Sequence, residues 1–458
     1  MLQPGFEGTA APDWVRRRLA AGLGGVALFA RNIEHPDQVR KLVAALKAEN
    51  PRVIVAIDEE GGDVTRLEAG QGSSRPGNLA LGVVDDLELT EAVAAGIGYD
   101  LAAVGVNLDY APDADVNSNP DNPVIGVRSF GADTGLVARH TAAWVRGLQS
   151  AGVAACAKHF PGHGDTSVDS HRELPAVTAP AAHIAATALP PFRAAIEAGV
   201  RAIMTGHLLV PAYDPDAPAT TSPRILVETL RQELGFTGLI VTDGIEMRAV
   251  ADRYGLAGAA VRALAAGADA ICVGGGLAGE ATVETLRSAI VDAVRAGELP
   301  EDRLADAARR VGELADWITS AAPTSPEPAE PVGLLAARRA IRITGTGLPL
   351  TGAPHVVELA PALHEAIDRG TPWGLAEPLR RLRPDRTVAR LHPGDVEDLD
   401  RLGQAALAPA GGRPLVVVVR DAHRHAWMTR ALDHLLAARP DAVVVELGLP
   451  GPNPRGAV

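Results

Sequence analysis

Two cysteines in 458 residues cannot staple a chain of this length, and both lie in apolar, strand-like runs. These are Val153-Ala154-Ala155-Cys156 and Ala270-Ile271-Cys272-Val273, where a thiol serves as a small buried hydrophobe. No disulfide is expected, which fits a reducing, cytoplasmic setting. No stretch approaches the roughly 20 apolar residues that cross a bilayer, and Trp14 to Leu19 carries three arginines where a targeting segment would be apolar. There is no excess of positive charge either. The net charge is -13, and the arginine pairs Arg309-Arg310 and Arg338-Arg339 fall in helical patterns, so a nucleic-acid partner is not expected. A membrane is not expected as a partner either.

What is present is ordinary globular composition, 47% apolar and 22% charged, with length for more than one domain. To about residue 320, short Val/Ile-rich runs alternate with longer segments of helical period. The strand candidates are 1–6, 25–30, 53–58, 107–111, 154–159, 202–206, 239–243 and 269–274. Helix candidates between them are 36–48, 91–104, 133–151, 185–198 and 227–234. Eight strands with helical crossovers predict a (β/α)8 barrel. The rival is a doubly wound sheet, which would carry a glycine-rich phosphate loop after its first strand; Phe6-Glu7-Gly8-Thr9 is not one.

Residues 320–333, SAAPTSPEPAEPVG, have the composition of an extended linker. They divide a barrel over 1–319 from a smaller α/β sandwich domain over 334–458, which is expected to be incomplete because the sequence stops soon after a strand. That second domain has strands expected at 356–360, 387–391, 415–419 and 443–447, and helices around 361–368 and 425–438. Its His423 and His425 are most simply loop histidines.

A barrel builds its active site at the C-terminal ends of its strands. There the chain places Asp58-Glu59-Glu60-Gly61-Gly62, Lys158-His159, Thr205-Gly206-His207 and Thr242-Asp243-Gly244. After the fifth strand runs KHFPGHGDTSVDSH, 158–171, which packs Lys, three His and two Asp onto a Gly/Pro-bent backbone. In it, Asp169 stands two residues from His171, so the carboxylate can fix one imidazole nitrogen and leave the other for proton transfer. Asp243 ends an apolar strand as a carboxylate on a rigid element. Asp58, Arg66, Arg128 and Lys158 supply carboxylate, guanidinium and ammonium groups suited to the vicinal hydroxyls of a sugar. Retaining glycoside hydrolysis needs a nucleophile and a group that first protonates the leaving oxygen and then activates water. Asp243 and His171 fit those roles. The competing reading is a metal hydrolase, because His159-x-x-x-His163-x-Asp165 has ligand-like spacing; Pro161, Gly162 and Gly164 argue against the helix that would align the two histidines.

Four motifs in order, DEEGGDVTR at 58–66, NLDYAPDADVNSNPDNPVIGVRSFG at 107–131, KHFPGHGDTSVDSH at 158–171 and VTDGIEM at 241–247, make the first domain resemble glycoside hydrolase family 3, in its β-N-acetylglucosaminidase branch. The linker and sandwich resemble its longer, two-domain members. The resemblance implies a retaining enzyme that removes terminal β-linked N-acetylglucosamine, often from peptidoglycan fragments. It makes Asp243 the nucleophile and Asp169 with His171 the acid/base pair. It assigns Asp58, Arg66, Arg128, Lys158 and His159 to sugar binding, with His163 and Asp165 bracing the loop. No cofactor or metal is implied, and the expected partner is a small carbohydrate. Two positions depart from the family pattern. Asp63 stands where Arg is usual, and Gly244-Ile245-Glu246 follows the nucleophile, which is expected to loosen the turn holding it. Histidine in place of a carboxylate would not repel a phosphate dianion, so phosphorolysis with inorganic phosphate is the alternative to hydrolysis. A sugar-binding protein without catalysis is a third class, against which intact Asp243, Asp169 and His171 stand.

Overall fold

The structure, a computed structural model, describes residues 1–451 apart from 172, 278, 325–330, 346–347, 363 and 365. It divides into two compact units, Met1–Ala340 with Glu365–Thr371, and Ile341–His364 with Pro372–Val458. The helix Val332–Ala340, placed by sequence after the linker, belongs to the first unit. Residues 325–330 of the expected linker lie outside the described residues.

Among the described residues the first unit has eight short parallel strands: β1 Leu2–Pro4, β2 Gly25–Ala27, β3 Ile54–Ile57, β4 Leu108–Asp109, β5 Ala154–Phe160, β6 Ala202–Thr205, β7 Leu239–Thr242 and β8 Ile271–Val273. Strands β2 to β7 form one sheet in chain order, and β8 pairs with β1. β7 reaches β8 through the Val241–Ala270 bridge, and the Ile245 amide beyond it donates to Cys272 O at 3.0 Å. At β2, a Cβ on Gly25 would meet Ile54 O of β3 at 3.0 Å and Gln3 Cγ of β1 at 3.2 Å. The parallel sheet therefore curls round to its own first strand, as a TIM-type barrel does.

Alternation along each strand sorts the side chains into two clusters. Ala27, Ala56, Leu108, Tyr110, Cys156, Met204, Val241 and Cys272 fall in one cluster, inside the curl. Val26, Val55, Ile57, Ala155, Ile203, Ile240 and Ile271 fall in the other, against the helices. Both thiols are free and buried, as the apolar runs around them imply. Leu314 and Ala315 of the helix Glu301–Ser320 pack with the inner cluster, leaving the opposite rim for chemistry.

The expected helix 185–198 is broken into Ala181–Thr187 and Pro190–Glu197, because Pro190-Pro191 lacks two amide donors. In the second unit, β9 His355–Leu359, β10 Thr387–Leu391, β11 Leu415–Val419 and β12 Val443–Glu446 form a parallel sheet ordered β10-β9-β11-β12. The helix expected around 361–368 is not formed among the described residues. Residues 366–371 form turns that belong to the first unit, with Ile367 buried, and the helix after β9 comes later, at Ala376–Leu382.

Candidate active site

The rim opposite the Glu301–Ser320 helix carries every expected site residue, and they fall into three groups. The first is an interlocked set of charges. β3 ends in Asp58-Glu59-Glu60, turned by Gly61 and Gly62, both at positive φ; Gly62 packs so close to the Gly77 backbone that a Cβ would stand 2.7 Å from it. Lys158 near the end of β5 is buried and places Nζ 2.7 Å from both Asp58 Oδ1 and Glu60 Oε1. Arg128 grips Glu60 with two parallel bonds, Nε to Oε2 at 2.9 Å and Nη2 to Oε1 at 2.7 Å. Burial alone would favour a neutral Glu60, but the Arg128 and Lys158 charges hold its carboxyl far below the usual range. Arg66 lies 3.8 Å from Asp58 Oδ2 and donates to Ala366 O at 3.0 Å. Its backbone amide and that of Leu67 are held by Glu59 Oε2 at 2.8 and 2.9 Å. Burial pushes the Glu59 carboxyl up to about 7, against the bonds it accepts.

The second group is organised by Asp115, which follows β4. Its carboxylate accepts His159 Nδ1 at 2.8 Å and the His163 amide at 2.6 Å. His163 is buried, with Nδ1 2.7 Å from Thr166 Oγ1 and Nε2 3.3 Å from Ser170 Oγ. Burial draws its pKa down to about 4. Asp165 is exposed and away from this bonding. Beyond it, Asp169 Oδ1 accepts both the His171 amide at 2.9 Å and His171 Nδ1 at 2.7 Å. That leaves Nε2 of His171 as the nitrogen available for transfer. Burial lowers the His171 pKa, but the Asp169 hydrogen bond and the Asp243 charge outweigh it and raise the value above the ordinary one.

The third group surrounds Asp243 at the end of β7. Its Oδ1 accepts the Gly244 amide at 2.8 Å. Burial opposes ionisation, yet the imidazoles of His159, His207 and His171 bring the carboxyl down to about 2. The turn after it is not loose, contrary to what Gly244-Ile245-Glu246 suggested. The Ile245 amide binds Cys272 O, His207 Nε2 meets Gly244 O at 2.9 Å, and Glu246 Oε2 accepts the Gly274 amide at 3.0 Å. Glu246 Oε1 occupies the space a side chain at 244 would need, 2.9 Å from an added Cβ, so glycine and glutamate fit as a pair.

Sequence reasoning left Glu60, Asp113, Asp115 and His207 out of the site. Glu60 and His207 stood in the strand-end runs, and Asp113-Ala114-Asp115 follows β4, but nothing in the order of residues said that they point inward. Asp113, Asp115 and His159 form the group, among the described residues, whose ligand-type atoms lie within 4.8 Å of one another and could converge on a cation. His163 and Asp165, the partners suggested by spacing, are not in it. Within this group Asp115 already accepts His159, and the Arg128 guanidinium stands 3.7 Å from Asp113 Oδ2.

Residues 11–314, well over half of the chain, match the family described as the glycosyl hydrolase family 3 N-terminal domain. The β-hexosaminidase A of Pseudoalteromonas piscicida is 36% identical over 318 residues, which are 64% of this chain and 53% of that enzyme; the chain thus spans about half the length of that relative. The β-hexosaminidase of Pseudomonas aeruginosa is 40% identical over 252 residues, 54% of this chain and 74% of its own. Among solved structures, a glycoside hydrolase family 3 β-N-acetylglucosaminidase from Paenibacillus superposes with a TM-score of 0.85 at 34% identity, covering 97% of this chain and 88% of that one.

Proposed function

The chain belongs to glycosyl hydrolase family 3, and from that premise we propose that it is a retaining β-N-acetylhexosaminidase that releases terminal β-linked N-acetylglucosamine. Asp243 is the nucleophile in this reading. Its carboxylate forms a bond to the anomeric carbon as the bond to the leaving oxygen breaks, and that oxygen keeps the electron pair and takes a proton from His171 Nε2. His171 then removes a proton from water, whose oxygen displaces Asp243 and restores the enzyme. Asp169 accepts Nδ1–H, which favours the protonated imidazolium that donates from Nε2 in the first step and leaves the neutral ring with an Nε2 lone pair that takes the proton of water in the second. Asp58, Arg66, Arg128, Lys158 and His159 take the sugar, Arg128 and His159 acting from positions set by Glu60 and Asp115.

The observation that carries this reading is the opposed tuning of two groups on one rim: a carboxylate kept ionised, at about 2, and an imidazole raised toward its protonated form by its own aspartate. Water is taken as the acceptor rather than phosphate because the related enzymes bear hexosaminidase names. A role in turning over peptidoglycan fragments and a cytoplasmic setting, consistent with two free thiols, belong to the same proposal. No helix among the described residues is long and apolar enough to cross a membrane. The test is Asp243→Ala, which should abolish nitrophenol release from the β-N-acetylglucosaminide while leaving sugar binding measurable. Unchanged turnover would refute the mechanism. Identifying the product in phosphate and phosphate-free buffer, as free sugar or sugar 1-phosphate, decides the acceptor.

A further inference from the structure

We propose that Ser170, docked on His163, is the positioning residue of the acid/base pair, an inference that rests on the reading of Asp169 and His171 given above. Ser170 separates the two and is buried at 2% exposure, although it lies in a loop. A buried hydroxyl needs a partner, and Oγ stands 3.3 Å from His163 Nε2.

The bonding pattern assigns the direction of that contact. Thr166 Oγ1 gives its proton to His163 O at 3.0 Å. It is therefore an acceptor for His163 Nδ1–H, at 2.7 Å, and for Asn122 Nδ2, at 3.3 Å. The neutral ring then has only a lone pair at Nε2, which Ser170 O–H must meet as donor. His163 is itself fixed from both sides, its amide on Asp115 and its carbonyl accepting Asn122 Nδ2 at 2.8 Å. Asp115 is also the carboxylate that orients His159. The same anchor thus serves a sugar-binding group and, through His163 and Ser170, the proton-transfer group. Because Asp169 Oδ1 holds both the amide and Nδ1 of His171, Asp169-Ser170-His171 moves as one turn, and fixing Ser170 fixes where His171 Nε2 points.

A group that orients a general acid matters in proportion to how much protonation the leaving group needs, whereas a merely structural serine would affect all substrates alike. Ser170→Ala should lower kcat/KM for di-N-acetylchitobiose roughly tenfold to a hundredfold. For the 2,4-dinitrophenyl β-N-acetylglucosaminide, whose phenolate leaves unaided, kcat/KM should be nearly unchanged. Equal losses on both substrates, or no loss on either, would overturn the proposal. His171→Ala is the control: if it lacks the same leaving-group pattern, the acid/base reading itself fails. If it shows the pattern and Ser170→Ala does not, only the positioning role fails. Should Ser170→Ala unfold, His163→Gln removes the other partner and carries the same expectation.

Discussion

Arg128 and Glu60 meet in a buried fork of two hydrogen bonds, 2.9 and 2.7 Å, and Lys158 shares one of the same oxygens at 2.7 Å. One carboxylate thus serves two cations from different segments, Lys158 of β5 and Arg128 beyond β4, and removing it leaves Lys158 with Asp58 alone and Arg128 with only the more distant Asp113 carboxylate. Glu60→Gln should cost about 3–5 kcal/mol of unfolding free energy, as breaking a buried pair does, and should raise KM as Arg128 and Lys158 shift. Denaturant unfolding with kinetics on the purified variant measures both. A variant as stable as the parent would show that the fork contributes nothing.

The acid limb and the base limb of the activity should be unequal. Asp243 stays ionised down to about pH 2, so kcat/KM should be level on the acid side until the protein unfolds. The His171 proton is needed for the first step and is held above its ordinary value by Asp169 and Asp243, so the fall should come on the alkaline side. Asp169→Asn removes one of the two charges that support it, and the fall should move to lower pH. A pH profile of kcat/KM for both proteins decides; an unmoved limb would mean that another group titrates.

The barrel was legible because strand burial on both faces writes Val, Ile and Ala into short runs, and all eight appear where those runs stand. Asp58, Lys158, His159 and Asp243 were legible for the same reason, since strand ends fix their position. What could not be read was the second layer. Glu60 looks no different from Glu59 in sequence, yet one binds two cations and the other holds the Arg66 and Leu67 amides. Asp115 needed the third dimension, because its partners lie more than 40 residues further on. The turn after Asp243 is held where Gly244-Ile245-Glu246 predicts looseness, because the Glu246 carboxylate fills the space beside Gly244 and binds the Gly274 amide, a contact that sequence order does not show.

Two buried groups should pull stability in opposite directions across the same pH range. His163 has a folded value lowered from 6.5 to about 4, so its contribution is present above 6.5 and lost as pH falls through 4. Glu59 has a folded value raised from 4.5 to about 7, so its contribution is present below 4.5 and lost as pH rises through 7. Each is worth on the order of 3 kcal/mol at most, and the two nearly offset. Glu59→Gln should unmask the His163 trend, giving a protein whose unfolding free energy climbs from pH 4 to 7 more steeply than the parent's. Parallel curves from denaturant titrations at several pH values would refute the assignment.

Gly164 and Gly22 separate two ways in which alanine can harm a glycine site. At Gly164 an added Cβ would stand 1.8 Å from Val116 O and 2.4 Å from its carbon, so two backbone segments must part. Those segments are the one that carries the acid/base loop and the one that leads to Arg128, and they are joined by the Asn119 amide on Gly164 O at 3.2 Å. At Gly22, φ is +100°, but nothing lies within 4 Å of the added carbon. Gly22→Ala should therefore cost only the conformational strain, about 1–2 kcal/mol, with kcat/KM unchanged. Gly164→Ala should cost about 1–3 kcal/mol or more, and its kcat/KM should fall by more than the lost stability explains, because the loop that presents His171 is displaced. Denaturant midpoints and kcat/KM for the two variants, measured where both are fully folded, test this, and equal activities would mean that the loop tolerates the separation.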